Sequence, residues 1–217
     1  MPPATDSVSP GGARGGRPPR SQHSPGPRIL ITGGMRSGKS RYAESLLAGE
    51  PRVTYIAPGG RGGVVTPGVS TAQGPRPDPA ADEEWATRIA AHQGRRPESW
   101  QTIETVEIAA ALRTHRPPFL IDCLGTWLTA MIDSLGTWDL PVADWQTDFH
   151  DQLDDLVDAW RSCAGMAVAV TNEVGWGLVS EYRSGRVFTD LLGRVNQEIA
   201  AASDDVILVV AGRPLRL

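Results

Sequence analysis

The chain has 217 residues, enough for one to two ordinary domains, and its 21 basic and 25 acidic residues leave a formal charge of −4 with 40% hydrophobic residues. That balance excludes a protein that coats nucleic acid, which needs a strongly basic domain, but it leaves room for a local basic pocket that takes a phosphorylated small molecule. The apolar runs at 166–170 and 206–211 are far shorter than the roughly 20 residues that cross a bilayer, and the first 28 residues lack the apolar centre of a secretory signal, so the chain is expected in the cytoplasm.

Residues 1–28 hold 12 of the 42 glycines and prolines and residues 57–81 hold 11, and both stretches are poor in large apolar side chains. Neither buries enough surface to offset the ordering of its backbone. The expectation is a disordered tail over 1–27 and a single domain over 28–217, interrupted by a mobile Gly/Pro-rich insertion at about 60–80. Residues 28–32 (RILIT) read as a strand, followed by a glycine-rich turn and a helix over 39–48. A strand at 52–57, a helix at 82–93, a short strand at 102–106 and a helix at 108–114 come next. Then come a strand at 119–123, helices at 124–133 and 142–162, a strand at 166–171, a helix at 183–203 and a closing strand at 206–211. Strands that are continuous apolar runs, alternating with helices, predict an α/β fold: a parallel sheet covered on both faces.

Of the 21 basic residues only one, Lys39, is lysine. A compact ammonium does what the planar arginine fork does not, and Lys39 lies in GGMRSGKS (Gly33, Gly34, Met35, Arg36, Ser37, Gly38, Lys39, Ser40). That run fits G-x-x-x-x-G-K-[ST], the P-loop pattern, between a strand and a helix. Backbone N–H groups there form an anion-binding hollow at a helix start. Lys39 would reach the terminal phosphates of a nucleoside triphosphate, and the Ser40 hydroxyl would meet Mg²⁺. A second metal ligand is expected from a neighbouring strand end. Asp122, near the end of FLIDC, fits that role better than its other reading, a helix N-cap before Leu124, and the two roles are not exclusive. Asp122 also opens a D-x-x-G run, but a switch GTPase reads guanine with an asparagine-lysine pair, and the only lysine is already in the cradle.

Cys123 and Cys163 make neither a disulfide framework nor a metal-ligand spacing. Among four histidines, His92 falls in line with Trp85 and Ile89 on one stripe of the 82–93 helix, with Arg88, Arg95 and Arg96 nearby. It reads either as a core or capping histidine or as a nucleophile toward phosphorus, its arginine neighbours offsetting developing charge.

GGMRSGKSRYAE, RIAAHQGRRPESW (88–100), LIDCLGTWL (120–128), VTNEVGWGLVSEYRSGRVFTDLLGRVNQEIA (170–200) and VILVVAGRPLRL together resemble the bifunctional adenosylcobinamide kinase/adenosylcobinamide-phosphate guanylyltransferase family over nearly all of 28–217. The resemblance implies a P-loop, RecA-like, mostly parallel sheet and a homotrimer. It implies phosphorylation of adenosylcobinamide by ATP or GTP, then GMP transfer from GTP to that phosphate through a guanylylated histidine, His92. By the same resemblance the nucleotide contacts are the eight cradle residues, Ala57, Pro58, Gly59, Gln93, Gly94, Arg95, Arg96, Glu104 and Asp122, with Lys39 catalytic and Ser40 and Asp122 on the metal. Glu104 has a chemical rationale, since a carboxylate accepts from the N–H edge of guanine. Met35 stands where a smaller residue is commoner and is expected to crowd the cradle, and residues 172–196 are expected to handle the corrinoid. A small-molecule P-loop kinase without a covalent step, and a nucleotide-binding regulator, are the rival readings.

Overall fold

The computed structural model describes residues 26–58 and 96–217. Residues 1–25 of the proposed tail, the 60–80 insertion and the 82–93 helix with His92 lie outside the described residues; the last tail residue, Pro27, is held instead, its carbonyl accepting from the Ala167 N–H at 3.0 Å. Seven strands form one sheet: β1 (Arg28–Thr32), β2 (Thr54–Ala57), β3 (Gln101–Glu104), β4 (Phe119–Asp122), β5 (Ala167–Val170), β6 (Asp205–Val210) and β7 (Arg213–Arg216). Their order is β3-β2-β4-β5-β1-β6-β7, and every pairing is parallel except β6 with β7. Among the described residues, the connecting helices are α1 (Lys39–Leu46), α2 (Ile108–Thr114), α3 (Leu124–Leu135), α4 (Gln146–Arg161) and α5 (Arg183–Ala201).

The burial follows the sequence pattern. AVAV of β5 is buried throughout, as is most of β1 and β4, while the rim strands β3 and β7 are largely exposed. One face of the sheet packs Ala43 and Leu47 of the α1 segment with Tyr55 and Trp100. The other packs Leu128 and Ile132 of α3, Phe149 and Trp160 of α4, and Val195 and Ile199 of α5. Two separate apolar layers on a parallel sheet are the α/β arrangement that the alternating runs predict.

The chain does not end on β6. At Ala211 and Gly212 the backbone takes φ of 49° and 77°, and Val210 pairs with Arg213, making a two-residue hairpin into β7. Two successive positive φ values are the turn that matches strand twist in such hairpins. The predicted helix at 142–162 is also divided: a 3-10 turn at Val142–Asp144 precedes α4, with Trp145 buried between them.

Candidate functional site

The turn from β1 into α1 is built from backbone that side chains would obstruct. Gly33 has φ of 152°, and a Cβ there would lie 2.4 Å from the Val209 carbonyl oxygen and 2.9 Å from Ser37 Oγ. Gly38, at φ 99°, caps α1, and its Cβ would come 3.2 Å from the Gly212 Cα. Ser37 N–H closes the turn on the Gly34 carbonyl at 3.2 Å. No side chain caps α1 and no acidic residue stands in its first turn, so its N–H groups and positive dipole end face the hollow. Ser37 Oγ is buried in the cradle wall without a hydrogen-bond partner among the described residues. Met35 does not crowd the hollow: the loop turns at Arg36 (φ 58°) and leaves Met35 76% exposed.

Lys39 is 8% exposed, and its Nζ donates to the Gly34 carbonyl oxygen at 2.9 Å. Burial lowers its pKa, while Cys123 and Asp122 pull the other way. Lys39 opens the helix that follows β1, and Asp122 ends β4, with β5 running between those two strands.

Asp122 ends β4. Tyr55 of the adjacent β2 donates its hydroxyl to Asp122 Oδ2 at 3.1 Å, and the Arg96 guanidinium lies 3.4 Å from the centroid of the Tyr55 ring. Arg96 Nη1 also donates to Thr102 Oγ1 at 3.2 Å. Burial, first, and the Asp122 carboxylate push the Tyr55 phenol far above its ordinary range, so it stays a donor. The N-cap of α3 is Cys123, and no side-chain hydrogen bond caps that helix. The Cys123 thiol lies 3.1 Å from Thr126 Oγ1, and burial raises its pKa.

After β5 the chain is fastened on both sides. Glu173 N–H donates to the Gly33 carbonyl at 3.0 Å, and buried Thr171 donates to Asn196 Oδ1 of α5 at 2.6 Å. Asn196 Nδ2 in turn donates to the Asn172 carbonyl at 3.0 Å.

The structure thus gathers the eight cradle residues with Asp122 at the C-terminal ends of the central strands. Ala57 and buried Pro58 end β2 beside them, and Arg96 is engaged on Tyr55. Glu104 ends β3, two strands from β4 at the sheet rim, and is exposed. Gly59, His92, Gln93, Gly94 and Arg95 lie outside the described residues. Sequence reasoning missed Tyr55; its one signal is a phenol within the short buried strand TYIA. Among the described residues there is no group of three histidine, cysteine or carboxylate side chains suited to a metal, and no helix long and apolar enough to cross a membrane.

A buried lysine in a glycine cradle on a mostly parallel sheet defines a P-loop nucleotide-binding protein. The profile of the family described as cobinamide kinase / cobinamide phosphate guanyltransferase matches residues 29–64 and 69–217, and the chain belongs to that family. It is a bifunctional enzyme of cobalamin biosynthesis, a cobinamide kinase and cobinamide phosphate guanylyltransferase. It is 39% identical over 194 residues to a bifunctional adenosylcobalamin biosynthesis protein of Salmonella typhimurium, covering 85% of this chain and 96% of that one. It is 37% identical to the Escherichia coli protein of the same name over 194 residues, with the same coverage. It is 34% identical over 195 residues to a Pseudomonas aeruginosa relative, covering 88% of this chain and 96% of the relative. Among solved structures, an ATPase of a bacterial type III secretion system is similar at a TM-score of 0.47 and 12% identity, covering 84% of this chain and 50% of that one.

Proposed function

We propose that the enzyme acts on adenosylcobinamide through one cradle, and that guanylyl transfer passes through His92. In the first reaction the aminopropanol hydroxyl of adenosylcobinamide takes the γ-phosphoryl of ATP or GTP. In the second, an imidazole nitrogen of His92 attacks the α-phosphorus of GTP, the bond from that phosphorus to its bridging oxygen breaks, and pyrophosphate leaves. An oxygen of adenosylcobinamide phosphate then attacks the phosphoramidate, which restores the imidazole and gives adenosylcobinamide-GDP. The covalent step divides one transfer between anions into two easier ones. The observation that carries this reading is the family match across 29–64 and 69–217, with the chain's one lysine buried at the cradle.

Within it, Lys39 exchanges its bond to the Gly34 carbonyl for phosphate oxygens, and the open N–H groups of α1 meet the phosphate chain. Ser40 and Asp122 are the residues to hold Mg²⁺. Hydroxyl and carboxylate oxygens are hard donors suited to that ion, and two of them suffice because Mg²⁺ keeps waters and takes substrate phosphates. The ion, when bound, neutralises charge on the triphosphate. Ala57, Pro58, Gly59, Gln93, Gly94, Arg95, Arg96 and Glu104 complete the nucleotide contacts. The corrinoid lies against 172–196, where an open groove of about 610 Å³ is lined by Trp138, Phe188, Asp133 and Ser184. The enzyme works in the cytoplasm as a homotrimer, an assembly that gives the exposed Trp176, Leu178 and Val179 a surface to bury.

GTP labelled at the α-phosphorus leaves label on wild-type protein and none on His92→Ala. Equal labelling of the two removes His92 from the role, and label transfer from the γ position alone supports an ordinary kinase instead.

A further inference from the structure

The Asp122 carboxylate meets a donor that packing alone does not require. Tyr55 is 2% exposed, and its ring fills the layer between the sheet and α1; a phenylalanine would fill the same layer. What the tyrosine adds is one hydroxyl, placed 3.1 Å from Asp122 Oδ2. On the ring lies Arg96, 3.4 Å from the centroid, just ahead of β3 in the chain. A guanidinium over a buried aromatic face is held by the ring's quadrupole, so the ring has little freedom to swing its hydroxyl away. The N-cap of α3 is Cys123, one residue beyond Asp122. The hydrogen bond ties β2 to the carboxylate that ends β4, at the edge of the cradle.

We infer that Tyr55 is a positioning residue for the nucleotide site: its hydroxyl holds the Asp122 carboxylate in one orientation, and Arg96 stacked on the ring holds the tyrosine. This rests on the reading of Asp122 as a metal ligand. Partners that orient a ligating carboxylate act on the metal without touching it. The arrangement also joins two elements of the site, because the guanidinium that covers the ring belongs to a residue among the expected nucleotide contacts.

The test compares full-length wild type, Tyr55→Phe, Arg96→Gln and Asp122→Asn. The Mg²⁺ concentration for half-maximal nucleotide turnover is measured, together with direct Mn²⁺ binding by electron paramagnetic resonance in the presence of β,γ-imido-GTP. Tyr55→Phe is expected to raise both half-saturation points about 10- to 100-fold, with kcat at saturating Mg²⁺ nearly retained. Arg96→Gln is expected to raise them by less. A Tyr55→Phe protein with wild-type Mg²⁺ and Mn²⁺ curves, beside a shifted Asp122→Asn, overturns the role of Tyr55 alone, and a lowered melting temperature without a shift in those curves has the same meaning. Wild-type curves for both variants overturn the metal reading of Asp122 and this inference with it.

Discussion

Gly212 donates its backbone N–H to the carbonyl oxygen of Ser37 at 2.8 Å, so the turn between β6 and β7 braces the cradle from outside. The Val209 carbonyl oxygen, 2.4 Å from where a Gly33 Cβ would stand, forms the other half of that wall. The phosphate hollow is thus shaped by the last strand pair as much as by its own loop.

Gly33→Ala is the sharpest probe of this brace. The new methyl meets backbone rather than a flexible side chain, at a φ that L-residues rarely adopt. The strain is expected to cost about 1–3 kcal/mol and to weaken GTP binding together with both transfers. Gly49→Ala, whose Cβ would have nothing within 4 Å, is the control and is expected to change neither melting temperature nor a GTP titration.

Lys39→Met is expected to separate stability from activity. Burial lowers the lysine's pKa in the folded protein, so the unfolded chain holds that proton more readily. Stability therefore rises with pH between the folded and unfolded pKa values, and below both the charged lysine is a constant penalty. Removing the ammonium should leave the melting temperature at pH 7 at or above wild type while abolishing kinase and guanylyltransferase turnover. A clear drop in melting temperature would show that the bond to Gly34 outweighs the burial.

Asp204 gives the acid limb of the stability curve one of its sources. Arg28 donates to both carboxylate oxygens through Nε and Nη2, at 2.9 and 3.0 Å, and through its backbone N–H at 2.8 Å. The side-chain bond first, then the backbone N–H, lowers the Asp204 pKa. The stabilisation is present above the unfolded carboxylate pKa and is lost as pH falls through the folded value. With Asp204 45% exposed, solvent screening limits the loss in Asp204→Asn at pH 7 to about 0.5–1 kcal/mol. Denaturant melts across pH should show the two proteins converging in acid.

Trp160 carries the packing of α4. It has no exposed surface, and its Nε1 donates to Ser203 Oγ at 3.1 Å beyond the end of α5. Trp160→Ala is expected to cost about 3–5 kcal/mol in equilibrium unfolding. Gln152→Ala, at an exposed position of the same helix, is expected to leave stability unchanged.

The central strands were legible because parallel strands buried on two sides must be continuous apolar runs, as RILIT, FLID and AVAV are. Helix α2 was legible to the residue, from Ile108 to Thr114. β7 was not: RPLR has neither an apolar run nor alternation that excludes a loop, and it becomes a strand only by pairing with β6. The break at Trp145 is likewise tertiary, since a helical pattern continues through it. At the site, the glycine spacing revealed the cradle because phosphate binding by backbone leaves little choice of residue. The placement of β5 between β1 and β4, the strands that lead to Lys39 and Asp122, comes from long-range strand order that no local pattern encodes. The bond from Tyr55 to Asp122 spans neighbouring strands 67 positions apart and was hidden for the same reason.

The final strand also governs how the molecule meets its own kind. In a two-residue hairpin the pair flanking the turn, Val210 and Arg213, exchanges hydrogen bonds, so the next residue, Pro214 opposite Val209, directs its backbone outward. An outward-facing proline nitrogen has no hydrogen to offer. A stray strand that approached this border would find a missing rung, with Arg213 and Arg216 flanking the gap. The sheet is thereby closed to growth into ribbons on that side, a safeguard against coagulation made of one imino acid.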